Sequence, residues 1–122
     1  MKTSLKVVLL AKNREIGAVE ICCILTTVGT KAQAQAIADH LVQAKLAACV
    51  QIDGPITSVY RWQGTVHCDE EYRCVIKTAS SIQTACVEAL RSVHPYETPQ
   101  ILAFGFSYAD ERYARWVQTE VL

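Results

Sequence analysis

The sequence predicts an α+β domain: one antiparallel sheet with two helices on a single face, in a split βαβ order, and a terminal helix added. Three observations carry this. Apolar or alternating extended segments recur along the chain. The stretches between them repeat apolar residues at helical spacing. Read in order, the elements are β-α-β-β-α-β followed by one short helix. With 122 residues the chain suits one domain with a full core and is short for two.

Residues 19–27 are almost continuously apolar and β-branched, which predicts a strand buried on both faces, broken by Gly29. Thr30 with Gln33 forms a capping-box pattern, and Ala34, Ile37, Ala38, Leu41 and Ala44 then share one helical face. A second strand over residues 47–52 meets Asp53, Gly54 and Pro55, a turn- or bulge-like interruption, and extended character resumes over 58–62. Gln63-Gly64 is a hairpin signal, and a long return strand follows over 65–78. Alternation along it puts Glu71, Arg73, Val75 and Lys77 on one face and Tyr72, Cys74 and Ile76 on the other.

Ser80 and Gln83 predict a second capping box. Behind it lies an apolar stripe of Ile82, Ala85, Cys86, Ala89, Leu90 and Val93, which Pro95 ends. A last strand is expected over 101–107. Asp110 then caps a short helix whose Tyr113, Trp116, Val117 and Val121 point inward. The order is that of a ferredoxin-like fold. Its second sheet face has no cover and few charges to solvate it, so the single chain reads as incomplete.

Composition narrows the function classes. Twelve Lys/Arg balance twelve Asp/Glu, without the basic surplus of a nucleic-acid binder. No apolar run approaches a membrane span, and the short one at residues 7–11 falls below a signal-peptide core. Residues 1–17 therefore read as an extension, either an extra strand, a frayed end or an upstream start, before one domain over 18–122. Six cysteines with no C-x-x-C pair read mostly as buried thiols, and a cytoplasmic location is expected.

Four motifs occur in register: Lys45 to Val50 (Lys-Leu-Ala-Ala-Cys-Val); Ser58, Tyr60, Trp62 and Gly64; Glu71 ahead of Lys77-Thr78; and His94, Pro95, Tyr96, Glu97 and Pro99. Together they resemble the CutA divalent-cation-tolerance family over about residues 18–121. The resemblance implies a tight homotrimer with sheets packed inward and joined through strand edges, an architecture similar to PII signalling proteins, and a link to tolerance of copper and other divalent metals. Two positions depart from bacterial relatives. Thr26 stands where some carry a cysteine assigned to copper, and Val93 replaces the first of two consecutive histidines, leaving His94.

The chemistry concentrates between the second helix and the last strand. Pro95 and Pro99 stiffen an arm that offers an imidazole, a phenol and a carboxylate. His94 can bind a metal through neutral imidazole, with Glu97 or Glu71 as oxygen ligands and Cys49 as a thiolate; equally, His94 can hydrogen-bond its neighbours and shape the arm. Glu71 and Lys77 share a face but lie about 20 Å apart along a strand, so each needs another partner. They are expected to line an intersubunit pocket with Tyr96 and His94, or to form interfacial salt bridges. Tyr60 and Trp62, beside the hairpin tip, are packing anchors between subunits or a ligand platform.

The expected function is a trimeric protein that binds or responds to divalent metal ions such as copper, with no tightly bound cofactor. The alternative is a PII-like module taking a small anionic ligand in intersubunit clefts, with Lys77 among the donors. No Gly-rich phosphate loop, nucleophile elbow or H-E-x-x-H motif occurs, and Cys86, the thiol closest in sequence to His94, lies on an apolar stripe. An enzyme is therefore not expected.

Overall fold

The structure, a computed structural model, describes residues 20–122. The expected extension over 1–17 lies outside the described residues. Strand β1 (Ile21–Val28) leads into helix α1 (Lys31–Gln43). A long hairpin of β2 (Cys49–Trp62) and β3 (Thr65–Ala79) follows, then α2 (Gln83–Val93), β4 (Ile101–Gly105) and α3 (Glu111–Glu120). The sheet order is β2-β3-β1-β4 with every neighbour antiparallel, so the α+β, split βαβ reading holds.

Local chemistry accounts for most of the boundaries. The Thr30 hydroxyl accepts from the Gln33 N–H at 3.1 Å and starts α1. That helix closes in a Schellman arrangement, with Leu46 N–H donating to the Leu41 carbonyl and Lys45 N–H to that of Val42. Lys45 takes the left-handed position at φ 59°, usually left to glycine. Gln63 and Gly64 both have positive φ, as a two-residue type I′ turn requires, and they bring Trp62 opposite Thr65.

Residues 53–56 are a bulge inside one strand, not a break between two. The register shifts between Asp53 and Ile56, and pairing continues on both sides. Gly54, at φ 150°, permits the close approach: a Cβ there would lie 2.6 Å from a Tyr72 ring carbon and 3.0 Å from the Glu71 carbonyl.

The expected cap on α2 does not form. Ser80 to Ile82 make a 3-10 turn, and the helix starts at Gln83 without a side-chain cap. Its stripe is also narrower than expected. Cys86 and Leu90 are buried and Val87 and Ala89 pack beside them, whereas Ala85 and Val93 are exposed.

Ile24, Val28, Ile37, Leu41, Cys74, Ile76 and Leu90 form the main core between the sheet and the first two helices. Among the described residues the opposite face receives only α3, whose Ala114 and Val117 pack on Ile21 at one end. Asp110 accepts from the Arg112 and Tyr113 N–H groups and caps that helix as expected. Tyr113 and Trp116 are partly exposed, contrary to the inward orientation expected of them. The small Ala114 supplies the contact in their place.

The rest of that face stays open. Leu102 and Phe104, paired with Leu25 and Cys23, are 54% and 46% exposed. Because β1 ends opposite Tyr72, residues 56–62 and 65–71 continue alone as a two-stranded arm.

Candidate functional site

The site lies where the arm between α2 and β4 crosses the end of β1 and meets the base of the two-stranded hairpin. Helix α2 stops because His94 precedes a proline, which drives it to extended geometry at φ −73° and ψ 134°. Its ring then reaches back 68 residues in sequence to β1. Nε2 lies 2.8 Å from the Thr26 hydroxyl and 3.1 Å from the Thr27 carbonyl, and Nδ1 accepts from the Tyr96 N–H at 3.1 Å.

An Nδ1 that accepts leaves the proton on Nε2, which donates to the carbonyl. Burial pushes the His94 pKa below its ordinary value, while the Thr27 carbonyl and the charge of Glu71 act the other way. Both ring nitrogens are engaged. These hydrogen bonds tie the arm to β1.

Tyr96 donates its hydroxyl to Glu71 at 2.8 Å, and its ring tilts against His94 with centroids 5.1 Å apart. Burial, then the bond to Glu71, holds this phenol far above its ordinary pKa. On the hairpin, Tyr60 donates to Asp69 at 2.5 Å and stacks on His67. The bond to Asp69 is the main cause of the raised Tyr60 pKa.

These groups border a cleft of about 680 Å³. Thr27 contributes from β1; Ser58, Val59, Tyr60 and Trp62 from β2; Glu71 from β3. Pro95, Tyr96, Glu97, Thr98 and Gln100 close it from the arm. Among the described residues the lining is mostly hydroxyl, aromatic and carboxylate, with no Lys or Arg.

The expected residues separate into two groups. Glu71, Glu97, Tyr96, Tyr60 and Trp62 line the cleft, with His94 anchoring it from behind. Lys77 and Cys49 do not join them within the chain. They face each other across β3 and β2, where Lys77 donates to Gln51 at 2.5 Å. Tyr113 stands beside Cys49 and Cys23, which help raise its pKa after burial. Six residues of strand, about 20 Å, separate that end of β3 from Glu71.

Among the described residues, no three His, Cys, Asp or Glu side chains come together as a metal set. The buried thiols are poor ligands at neutral pH. Burial lifts Cys74 and Cys86 to about 11 and raises Cys22 and Cys23 as well.

Some functional partners were not expected. Asp69 is one of them: counting pairs back from the Gln63-Gly64 turn puts it opposite Ser58 and diagonal to Tyr60. Thr98 and Gln100 carried no local signal. Thr26 was noted only as a departure at a cysteine position, and here it holds the His94 ring.

A family profile described as CutA1 divalent ion tolerance protein matches residues 22–120. The divalent-cation tolerance protein CutA of Salmonella newport is 33% identical over 110 residues, covering 90% of this chain and 96% of that protein. Among solved structures, CutA from Xylella fastidiosa superposes with a TM-score of 0.81 at 33% identity, covering 84% of this chain and 98% of the other. CutA from Synechococcus elongatus gives 0.80 at 36%, covering 85% and 92%. The match takes in both strands of the hairpin, the arm around His94 and all three helices. The chain therefore belongs to the CutA1 divalent ion tolerance family.

Proposed function

We propose that the protein serves divalent-cation tolerance as a homotrimer that binds or responds to divalent metal ions such as copper, as a binding protein and not an enzyme. The observation that carries this reading is the family match joined to a cleft whose charged lining, among the described residues, is carboxylate, from Glu71 and Glu97. Their oxygens are cation ligands in type, and a neighbouring copy completes the coordination. The open face supports the trimer: Leu102 and Phe104 lie exposed on β4, the edge strand among the described residues, and Val59 and Val66 on the hairpin are 67% and 59% exposed. Six free cysteines favour a reducing compartment, the cytoplasm. A small anionic ligand fits less well, because none of the described residues that line the cleft is cationic.

Calorimetric titration of the purified full chain with copper or zinc tests the metal reading. Saturable binding that weakens at least tenfold in a Glu71→Gln, Glu97→Gln variant is the expected result, and unchanged binding rules out this cleft. Light scattering at micromolar concentration tests the assembly, and a monomeric mass removes the trimer.

A further inference from the structure

The cleft holds more than a metal ion would use. Its volume of about 680 Å³ is that of a small-molecule site and far exceeds that of a bare divalent cation. Three aromatic side chains, Tyr60, Trp62 and Tyr96, line it, and ring faces contribute nothing to coordinating a hard or borderline metal. They do attract organic cations, through the negative face of the ring, and tryptophan does so best.

The rings are held in place. Tyr60 is fixed by its bond to Asp69 and by His67 stacked on it, and Tyr96 by its bond to Glu71 and by His94 against its ring. The ion pairs among the described residues are Arg73–Asp53 and Arg115–Glu111, and neither involves Asp69, Glu71 or Glu97.

We propose that this cleft binds a small organic ammonium ion, its charged head set among Trp62, Tyr60 and Tyr96 and neutralised by Glu71 and Glu97. The hydroxyl of Ser58 and the side chain of Gln100, on opposite walls, accept hydrogen bonds from the ligand's N–H groups or polar tail. This goes beyond the divalent-metal reading and stands independently of it, because the aromatic side chains and the size of the cleft carry it.

The test is calorimetric titration of the full-length protein with tetramethylammonium and with putrescine, against sodium chloride at matched ionic strength. A Trp116→Phe variant, which keeps Trp62 as its single tryptophan, adds a fluorescence readout. Saturable heat and saturable quenching of Trp62 are expected with both ammonium probes. Trp62→Leu is expected to weaken binding by at least ~fivefold while Trp62→Phe retains most of it, since a ring face remains. Glu71→Gln weakens it independently, and circular dichroism confirms that each variant is folded.

A signal no different from sodium chloride overturns the proposal, as does unchanged affinity in Trp62→Leu. Copper or zinc titrated in parallel keeps the two readings apart. Metal binding that survives Trp62→Leu while ammonium binding is lost supports this proposal. Metal binding with no ammonium binding in the wild type sinks it alone.

Discussion

Leu41 and Val59 are both aliphatic residues in regular secondary structure, yet Leu41 is fully enclosed and Val59 is 67% exposed. Leu41 sits where two helices cover the sheet. Val59 sits on the two-stranded arm that runs past the end of β1. The covered half owes its stability to burial of apolar area, which one chain supplies by itself. The arm has its ladder, its type I′ turn and a few hydrogen bonds, and an isolated hairpin of that kind is marginal in water. The cleft is built at the junction, so its geometry draws on both halves: β1 and α2 anchor His94, while the arm presents Tyr60 and Trp62.

Substitution in each half tests this contrast most directly. Leu41→Ala is expected to lower unfolding stability by about 2–5 kcal/mol, through lost burial and a residual cavity. In the single chain Val59→Ala stays within about 0.5 kcal/mol of wild type. Urea denaturation at several protein concentrations measures both. A Val59→Ala cost that grows with concentration would mean that the arm is buried against another copy.

The bulge at the root of the arm comes next. Gly54→Ala places a Cβ against the Tyr72 ring and the Glu71 carbonyl at a φ that L-residues avoid, and is expected to cost about 1–3 kcal/mol. Gly64→Ala at the arm's tip also has positive φ but meets no atom within 4 Å, so about 1 kcal/mol is expected. Equal costs at the two glycines would show that backbone conformation, not the clash, dominates at the bulge.

His94 ties the halves together, and its removal in His94→Ala is expected to cost about 1–2 kcal/mol in thermal or chemical unfolding. The same residue gives a pH dependence. Its folded pKa lies below the ordinary 6.5, so the unfolded chain binds the proton more readily. The stabilisation from neutral His94 is complete above 6.5 and is lost as pH falls below that value through the lowered folded pKa. Protonation removes the Nδ1 lone pair that accepts from Tyr96. Melting temperatures followed from about pH 8 to about pH 5 should fall for wild type, and His94→Ala should remove this part of the slope while His40 and His67 remain.

A small effect is also expected at the cleft itself. Tyr96→Phe deletes a partly exposed hydrogen bond to Glu71 and should cost no more than about 1 kcal/mol, a few degrees in melting temperature. A larger loss would mean that this bond, and not the packing of the arm, holds the junction.

The elements were legible because their signals are short-range. Thr30 and Asp110 cap helices within three residues of themselves, Pro95 ends α2 from two residues beyond it, and Gln63-Gly64 sets the hairpin turn. Where a local signal met a competing one, the reading failed. Ser80 follows a strand whose last residue is buried, and the chain turns there through a 3-10 segment without using the serine as a cap. Tyr113 and Trp116 have apolar bodies, but a helix lying on a strand face at close range buries its small residues first, and Ala114 takes the contact.

By itself, then, the sequence determined the order of strands and helices, the turn and caps between them, and the alternation that puts Glu71 and Lys77 on one face. Only the tertiary structure decided that Glu71 meets Tyr96 while Lys77 lies with Gln51 and Cys49, and that both nitrogens of His94 are used by residues of β1 and the arm. The reason is one of range. Caps, turns and pleat act over a few residues, whereas a contact such as Thr26 with His94 exists only after the sheet, α2 and the arm have packed.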